Sequence, residues 1–191
     1  MRKVVSTLLI ITGVLILTIS IYQFYQQKIS TNKTLDKAQQ LVFKRDGQAK
    51  MVDQFSPKEN DVIGVLNIPK LERSLPIIEG TDEEMLEKGV GHYSSTMFPG
   101  QDEQILLSGH RDTVFRKFGE LEIGDRLIVE MPYGEFEYEI RKTEIVASDN
   151  TTVIGPKGEE VLTVSTCYPF SYIGTAPDRY IIYAYPMKHL K

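Results

Sequence analysis

The chain opens on an apolar run without a single charge, Val4 to Tyr22, read as VVSTLLIITGVLILTISIY. At ~1.5 Å rise per residue, a helix of that length approaches the ~30 Å of hydrocarbon in a bilayer. A cleavable leader has a shorter apolar core, ~7 to 15 residues, followed by small residues. Here the run ends in Ile21, Tyr22, Gln23 and Phe24, whose aromatics suit a membrane interface. The pattern predicts an uncleaved, single-pass membrane anchor over residues 1–24. Residues 25–60 turn polar, rich in Gln, Lys, Ser and Thr, with one weak helical run from Leu35 to Phe43, and read as a stalk.

From residue 61 to 191 the pattern is that of short strands. VIGVLNIPKLERSLPIIEG gives two apolar stretches broken by Pro69 and Pro76. TDEEMLEKG reads as a short helix, with Thr81 as N-cap, acidic residues in the first turn and Gly89 at its end. Further strands are predicted at Gln104–Ser108, Asp125–Glu130, Glu135–Lys142, Thr143–Ala147, Val161–Thr166 and Arg179–Tyr185. Seven or eight short strands, with β-branched residues dense in the second half, point to a mostly-β domain, a closed barrel or a sandwich.

Charge sharpens this division. Residues 25–50 carry six basic and two acidic groups, whereas residues 51–191 carry 14 basic and 24 acidic groups. An acidic domain argues against nucleic acid, whose phosphates are met by Lys and Arg. The basic stretch suits either an anionic lipid surface or plain solvation. Arg2 and Lys3 beside a very short tail favour a cytoplasmic N-terminus and an extracytoplasmic domain, although Lys28, Lys33 and Lys37 flank the other side of the span.

The chain has one cysteine, so neither an intrachain disulfide nor an all-cysteine metal site is available to it. Cys167 ends the alternating strand VLTVST and is followed by Tyr168 and Pro169, which stop the strand. A thiol of pKa ~8.5 needs a base or cation nearby to act as a nucleophile. Of the three histidines, His189 lies in a terminal tail and His92 follows a helix end, where a local hydrogen bond accounts for it. His110 directly follows the apolar strand ILLSG, which places it at a rim where sites are often built, and Arg179 opens the apolar run RYIIYAY, either as a surface charge before the strand or as a functional group at the barrel rim. Thr166 and Asp112 are second candidates, for orienting substrate or imidazole, with a turn hydrogen bond the plainer role for Asp112. The acidic pairs Glu83-Glu84 and Glu159-Glu160 lack a calcium-loop pattern, and neither metal nor cofactor is expected.

The stretches LNIPKL, LPIIEGT, GVGHYSSTMFPG, LLSGHRDTVF, FGELEIGDRL, LTVSTCYPF and APDRYIIYA together resemble the sortase family of bacterial cysteine transpeptidases, over roughly residues 63–185. The Cys-Tyr-Pro-Phe and Gly-His-Arg-Asp-Thr contexts look most like its class D branch. The resemblance implies an eight-stranded β-barrel with short helices and a catalytic set of Cys167, His110 and Arg179. These would be the attacking thiolate, the proton-transfer group and the oxyanion partner, in that order. It further implies cleavage of a sorting signal like Leu-Pro-x-Thr followed by a small residue, and transfer of the acyl group to a cell-wall amine such as a peptidoglycan precursor. Two other readings stay open: a hydrolytic cysteine peptidase of the cell surface, and a non-catalytic surface-assembly domain. A papain-like fold is disfavoured, because His110 precedes Cys167 and the cysteine follows a strand.

Overall fold

The computed structural model describes residues 2–43, 52–171, 174 and 176–187; His189 and residues 44–51 of the expected stalk lie outside them. The first helix, α1, runs unbroken over Arg2–Phe43. Its apolar side chains from Val4 to Tyr25 are exposed, and it is long and apolar enough to cross a membrane. The helix does not stop where the apolar run ends. Its second half, expected as a polar stalk, packs on the barrel: Ala38 and Val42 are buried against Val65, flanked by Leu35 and Val62. The three helical residues, Leu35, Ala38 and Val42, follow one another at spacings of three and four, a narrow apolar stripe that the surrounding Lys, Gln and Asp obscure in sequence.

Eight strands close into a barrel in the order β1-β2-β3-β4-β7-β8-β6-β5. They are β1 (Val62–Ile68), β2 (Arg73–Glu79), β3 (Val90–His92), β4 (Gln104–Ser108), β5 (Arg126–Met131), β6 (Gly134–Ala147), β7 (Val161–Tyr168) and β8 (Asp178–Pro186). β2 pairs with β3 and β4 with β7 in parallel; the remaining neighbours are antiparallel. The interior is filled by alternate residues of the strands, among them Leu66, Leu75, Ile77, Ile105, Leu107, Leu162, Val164, Ile182 and Ala184.

Three expectations shift. The two strands foreseen between Glu135 and Ala147 are one, β6, which holds its ladder with β8 across an irregularity between Ile140 and Lys142. β3 was not foreseen, because two glycines within Gly89–His92 read as a helix end; Gly91 has no room for a Cβ, which would fall 2.8 Å from Leu86 Cδ2. The short helix α2 (Glu83–Lys88) is capped by Asp82 rather than Thr81, since the Asp82 carbonyl accepts the first helical bonds, from Met85 at 3.0 Å and Leu86 at 3.1 Å.

Candidate active site

Strand parity decides which side chains meet. In β7, Leu162 and Val164 point into the barrel, so Thr166 continues inward while Thr163, Ser165 and Cys167 face outward. In β8, Tyr180, Ile182 and Ala184 pack inward, which turns Arg179 outward. β7 and β8 pair antiparallel with Cys167 directly opposite Arg179. Thiol and guanidinium therefore stand side by side on the outer wall of the barrel, near the end of the ladder.

His110 comes from the other side of β7. β4 runs parallel to β7 with Ser108 beside Ser165, and the Gly109 amide donates to the Ser165 carbonyl at 3.2 Å. The chain then leaves the sheet at Gly109, whose Cβ, if it had one, would fall 2.7 Å from the Phe115 ring. His110 is delivered at the open end of the β4–β7–β8 wall. It lines a cavity of about 220 Å³ together with Arg111, Asp112, Cys167, Gly174, Ala176 and Arg179. The three residues singled out in sequence thus border one concavity, on the outer wall of the barrel where the β7–β8 ladder ends.

The second-rank candidates occupy different places. Thr166 is 3% exposed, and its hydroxyl donates to the Gly109 carbonyl at 2.7 Å. It ties the end of β7 to the turn that carries His110 and presents nothing to the cavity's surface. Asp112 is exposed and meets Arg111 Nε at 3.4 Å. It is Glu83, in the first turn of α2, that approaches the imidazole, with its Oε1 3.6 Å from His110 Nε2. Glu83 is 77% exposed, so this contact is screened by water.

Arg111, which no sequence pattern singles out, is a structural part of the site. Its guanidinium is 6% exposed and donates to the carbonyls of Pro169 and Gly174, each at 3.0 Å. It thereby holds the β7–β8 connection over one side of the cavity. The planar fork of an arginine suits two carbonyls that a lysine would meet singly. The only signal available was its place in the Gly-His-Arg-Asp run. Next to it, Tyr168, Phe170 and Tyr180 form a cluster with ring centroids 5.1 to 6.2 Å apart, plugging the barrel end beside Cys167.

His92 belongs to the fold. It pairs across the β2–β3 ladder with Glu79, Nδ1 to Oε2 at 2.7 Å, while Nε2 lies 3.0 Å from the Met97 carbonyl and the ring stacks on Phe98. Both ring nitrogens face acceptors in the interior, the arrangement of a satisfied buried polar group.

Comparison with known proteins agrees with this geometry. The sortase-domain profile matches residues 66–187. Sortase D of Bacillus subtilis (strain 168) is 46% identical over 96% of this chain and 98% of its own length. Among solved structures, a sortase D5 transpeptidase of Clostridium perfringens aligns with a TM-score of 0.71 at 26% identity, covering 83% of this chain and 99% of its own. The catalytic domain of B. anthracis SrtD aligns at 45% identity with a TM-score of 0.60, covering 73% of this chain and 97% of its own.

Proposed function

The chain belongs to the sortase family, the cysteine transpeptidases that act on sorting signals, and from that premise we propose that Cys167, His110 and Arg179 carry the reaction. The Cys167 thiolate attacks the scissile carbonyl of a signal of the Leu-Pro-x-Thr type. The Arg179 guanidinium meets the oxyanion of the tetrahedral intermediate with its planar fork of donors. His110 gives a proton to the leaving amine, and a thioacyl enzyme remains. An amine acceptor then enters, His110 takes its proton, and the acyl group leaves Cys167 as a new amide. Cell-wall amines, peptidoglycan precursors among them, are the acceptors this scheme would use.

The observation that supports the assignment most is the strand register, which sets Cys167 opposite Arg179 on one side and beside the His110 turn on the other. Thr166 and Arg111 act in this scheme as positioning residues, for the His110 turn and for the β7–β8 connection.

The test uses the single thiol of the chain. Incubated with a sorting-signal peptide, the enzyme should gain the mass of the peptide's N-terminal part, and Cys167→Ala should gain none. Added oligoglycine or a diaminopimelate-type amine should raise total turnover by intercepting the thioester. A turnover indifferent to amines would make the protein a hydrolytic peptidase, and cleavage by the Cys167→Ala protein would remove the mechanism altogether.

For topology, the proposal is a cytoplasmic N-terminus and an extracytoplasmic barrel, from Arg2 and Lys3 at the membrane edge. Protease added to intact protoplasts should then digest the barrel; a protected barrel overturns the orientation.

A further inference from the structure

A second cavity, of about 310 Å³, lies where the anchor helix leaves the membrane. It is lined on one side by Phe24, Gln27, Lys28, Thr31 and Asn32 of α1, and on the other by Arg73 and the segment Asp112, Thr113, Val114 and Arg116. We propose that this cavity binds the phosphate of an anionic membrane phospholipid, and so fixes the segment that follows His110 against the bilayer surface.

Position supports this first. The apolar span ends at Tyr22, and the headgroup layer adds ~5 to 7 Å on each side of the hydrocarbon, or ~3 to 5 helical residues. Phe24, Gln27 and Lys28 fall in or just beyond that layer on a helix that continues unbroken. The barrel residues facing them are therefore held at headgroup height.

Charge supports it next. Three cations, Lys28, Arg73 and Arg116, border the cavity against one carboxylate, Asp112. Asp112 is engaged with Arg111 at 3.4 Å. Among the described residues, none of the three cations is within ion-pair distance of an acidic side chain. Arg73 is half-buried and donates to the Thr113 carbonyl at 3.1 Å. Its burial, and secondly the charge of Arg116, press its pKa below the ordinary arginine value. Two like charges drawn together without a counter-ion leave a position where an anion is favoured, and guanidinium groups match phosphate oxygens in geometry.

A third, independent observation lies on the same wall. The Thr113 hydroxyl is buried, and among the described residues it is the one such side-chain oxygen without a hydrogen-bond partner. Leaving a hydroxyl unpaired costs ~1 to 3 kcal/mol, so such groups are rare and call for a partner. The hydroxyl itself has no accessible surface, so a χ1 rotation of Thr113 toward the cavity that the residue lines would be what brings it onto a phosphate oxygen. The inference is independent of the reaction assigned to Cys167.

Hydrogen exchange on the full chain in nanodiscs tests it. The amides of residues 111–117 are followed in phosphatidylcholine alone, in phosphatidylcholine with phosphatidylglycerol, and in phosphatidylcholine with inorganic phosphate. Exchange should slow about tenfold with phosphatidylglycerol, the factor given by a ligand at ~10 times its Kd, and inorganic phosphate should have little effect. Arg73→Gln/Arg116→Gln should erase the difference, while Lys117→Gln, exposed and outside the cavity, should keep it. Arg116→Gln alone, at an exposed position, serves if loss of Arg73 disturbs the fold, which exchange in β7 reports. Equal exchange with and without phosphatidylglycerol overturns the proposal. So does equal protection by inorganic phosphate, which would make the ligand a free anion. Loss of protection in Lys117→Gln as large as in the cavity variants would reduce the effect to diffuse attraction between the surface and basic groups.

Discussion

Arg179 faces Cys167 across the ladder, and among the described residues its side chain donates only to the neighbouring Asp178 carbonyl, at 3.1 Å. A residue so lightly tied contributes little to the fold, which separates a catalytic role from a structural one. Arg179→Lys should keep the melting midpoint while turnover falls ~10² to 10³, the loss seen when one oxyanion donor is removed elsewhere. A point ammonium keeps the charge and loses the planar fork. Turnover per folded molecule, measured beside the melting curve, checks this; near-normal turnover in folded Arg179→Ala would exclude the residue from catalysis. That Cys167, His110 and Arg179 can be singled out in sequence follows from where they stand, each just beyond or at the start of an apolar strand, and above all from the sortase-like motifs that hold them. Arg111 and Glu83 could not be found that way. Their roles depend on carbonyls of the β7–β8 connection and on the placement of α2, contacts between segments far apart in the chain.

At the scale of the element, strands marked by a compact apolar stretch between polar or turn residues are legible nearly to the residue: Gln104–Ser108 is β4, and Val161–Thr166 extends by only two residues to Tyr168. Elements without such a stretch are not. β3 has three residues and is defined by its neighbours, β2 and β4, more than by its own pattern. Gly64 shows the same dependence. In sequence it is a weak spot in VIGVLNI, yet a Cβ there would strike the Glu130 carbonyl and lie 2.8 Å from Met131 Sδ, where β5 closes the barrel against β1. Neither backbone nor packed sulfur can move aside cheaply, so the glycine permits the closure. Gly64→Ala should destabilise the protein by ~1 to 3 kcal/mol, the usual range for overpacking, with activity per folded molecule preserved because the site lies on the β4–β7–β8 wall. Denaturant melts followed by a turnover assay read both quantities. An unchanged midpoint would mean that β1 and β5 can separate there without cost.

Across the whole molecule, the anchor and the barrel meet through one helix. The apolar run reads as a span, but its continuation does not read as a docked helix, because Leu35, Ala38 and Val42 are interleaved with Lys37, Gln39 and Gln40 and flanked by the exposed Leu41 and Phe43, and only a partner surface sets them apart. Ala38 is fully buried against β1, Val42 nearly so, and the Thr31 hydroxyl reaches the Glu87 carbonyl of α2 at 3.5 Å. A membrane-spanning helix that is then held along its flank would set the height and facing of the barrel, where a flexible stalk would leave both free. The strength of that hold can be weighed. Two small apolar side chains bury little area, and at ~25 cal/mol per Å² they stabilise the docked state by only a few kcal/mol. A single charge at the centre of the contact should therefore release it: Ala38→Glu adds volume where there is none and buries a carboxylate without a partner. Hydrogen exchange in the docked half of α1 should then quicken, while the barrel strands β4, β7 and β8 keep their protection, because their cluster shares no residue with this one. Turnover on a free peptide should be retained and turnover on a membrane-tethered signal should fall, since only the latter depends on how the site faces the bilayer. If the Glu variant exchanges like the wild type along α1, the helix is held by something other than this contact; if both substrates lose turnover together, the helix supports the site itself rather than its orientation.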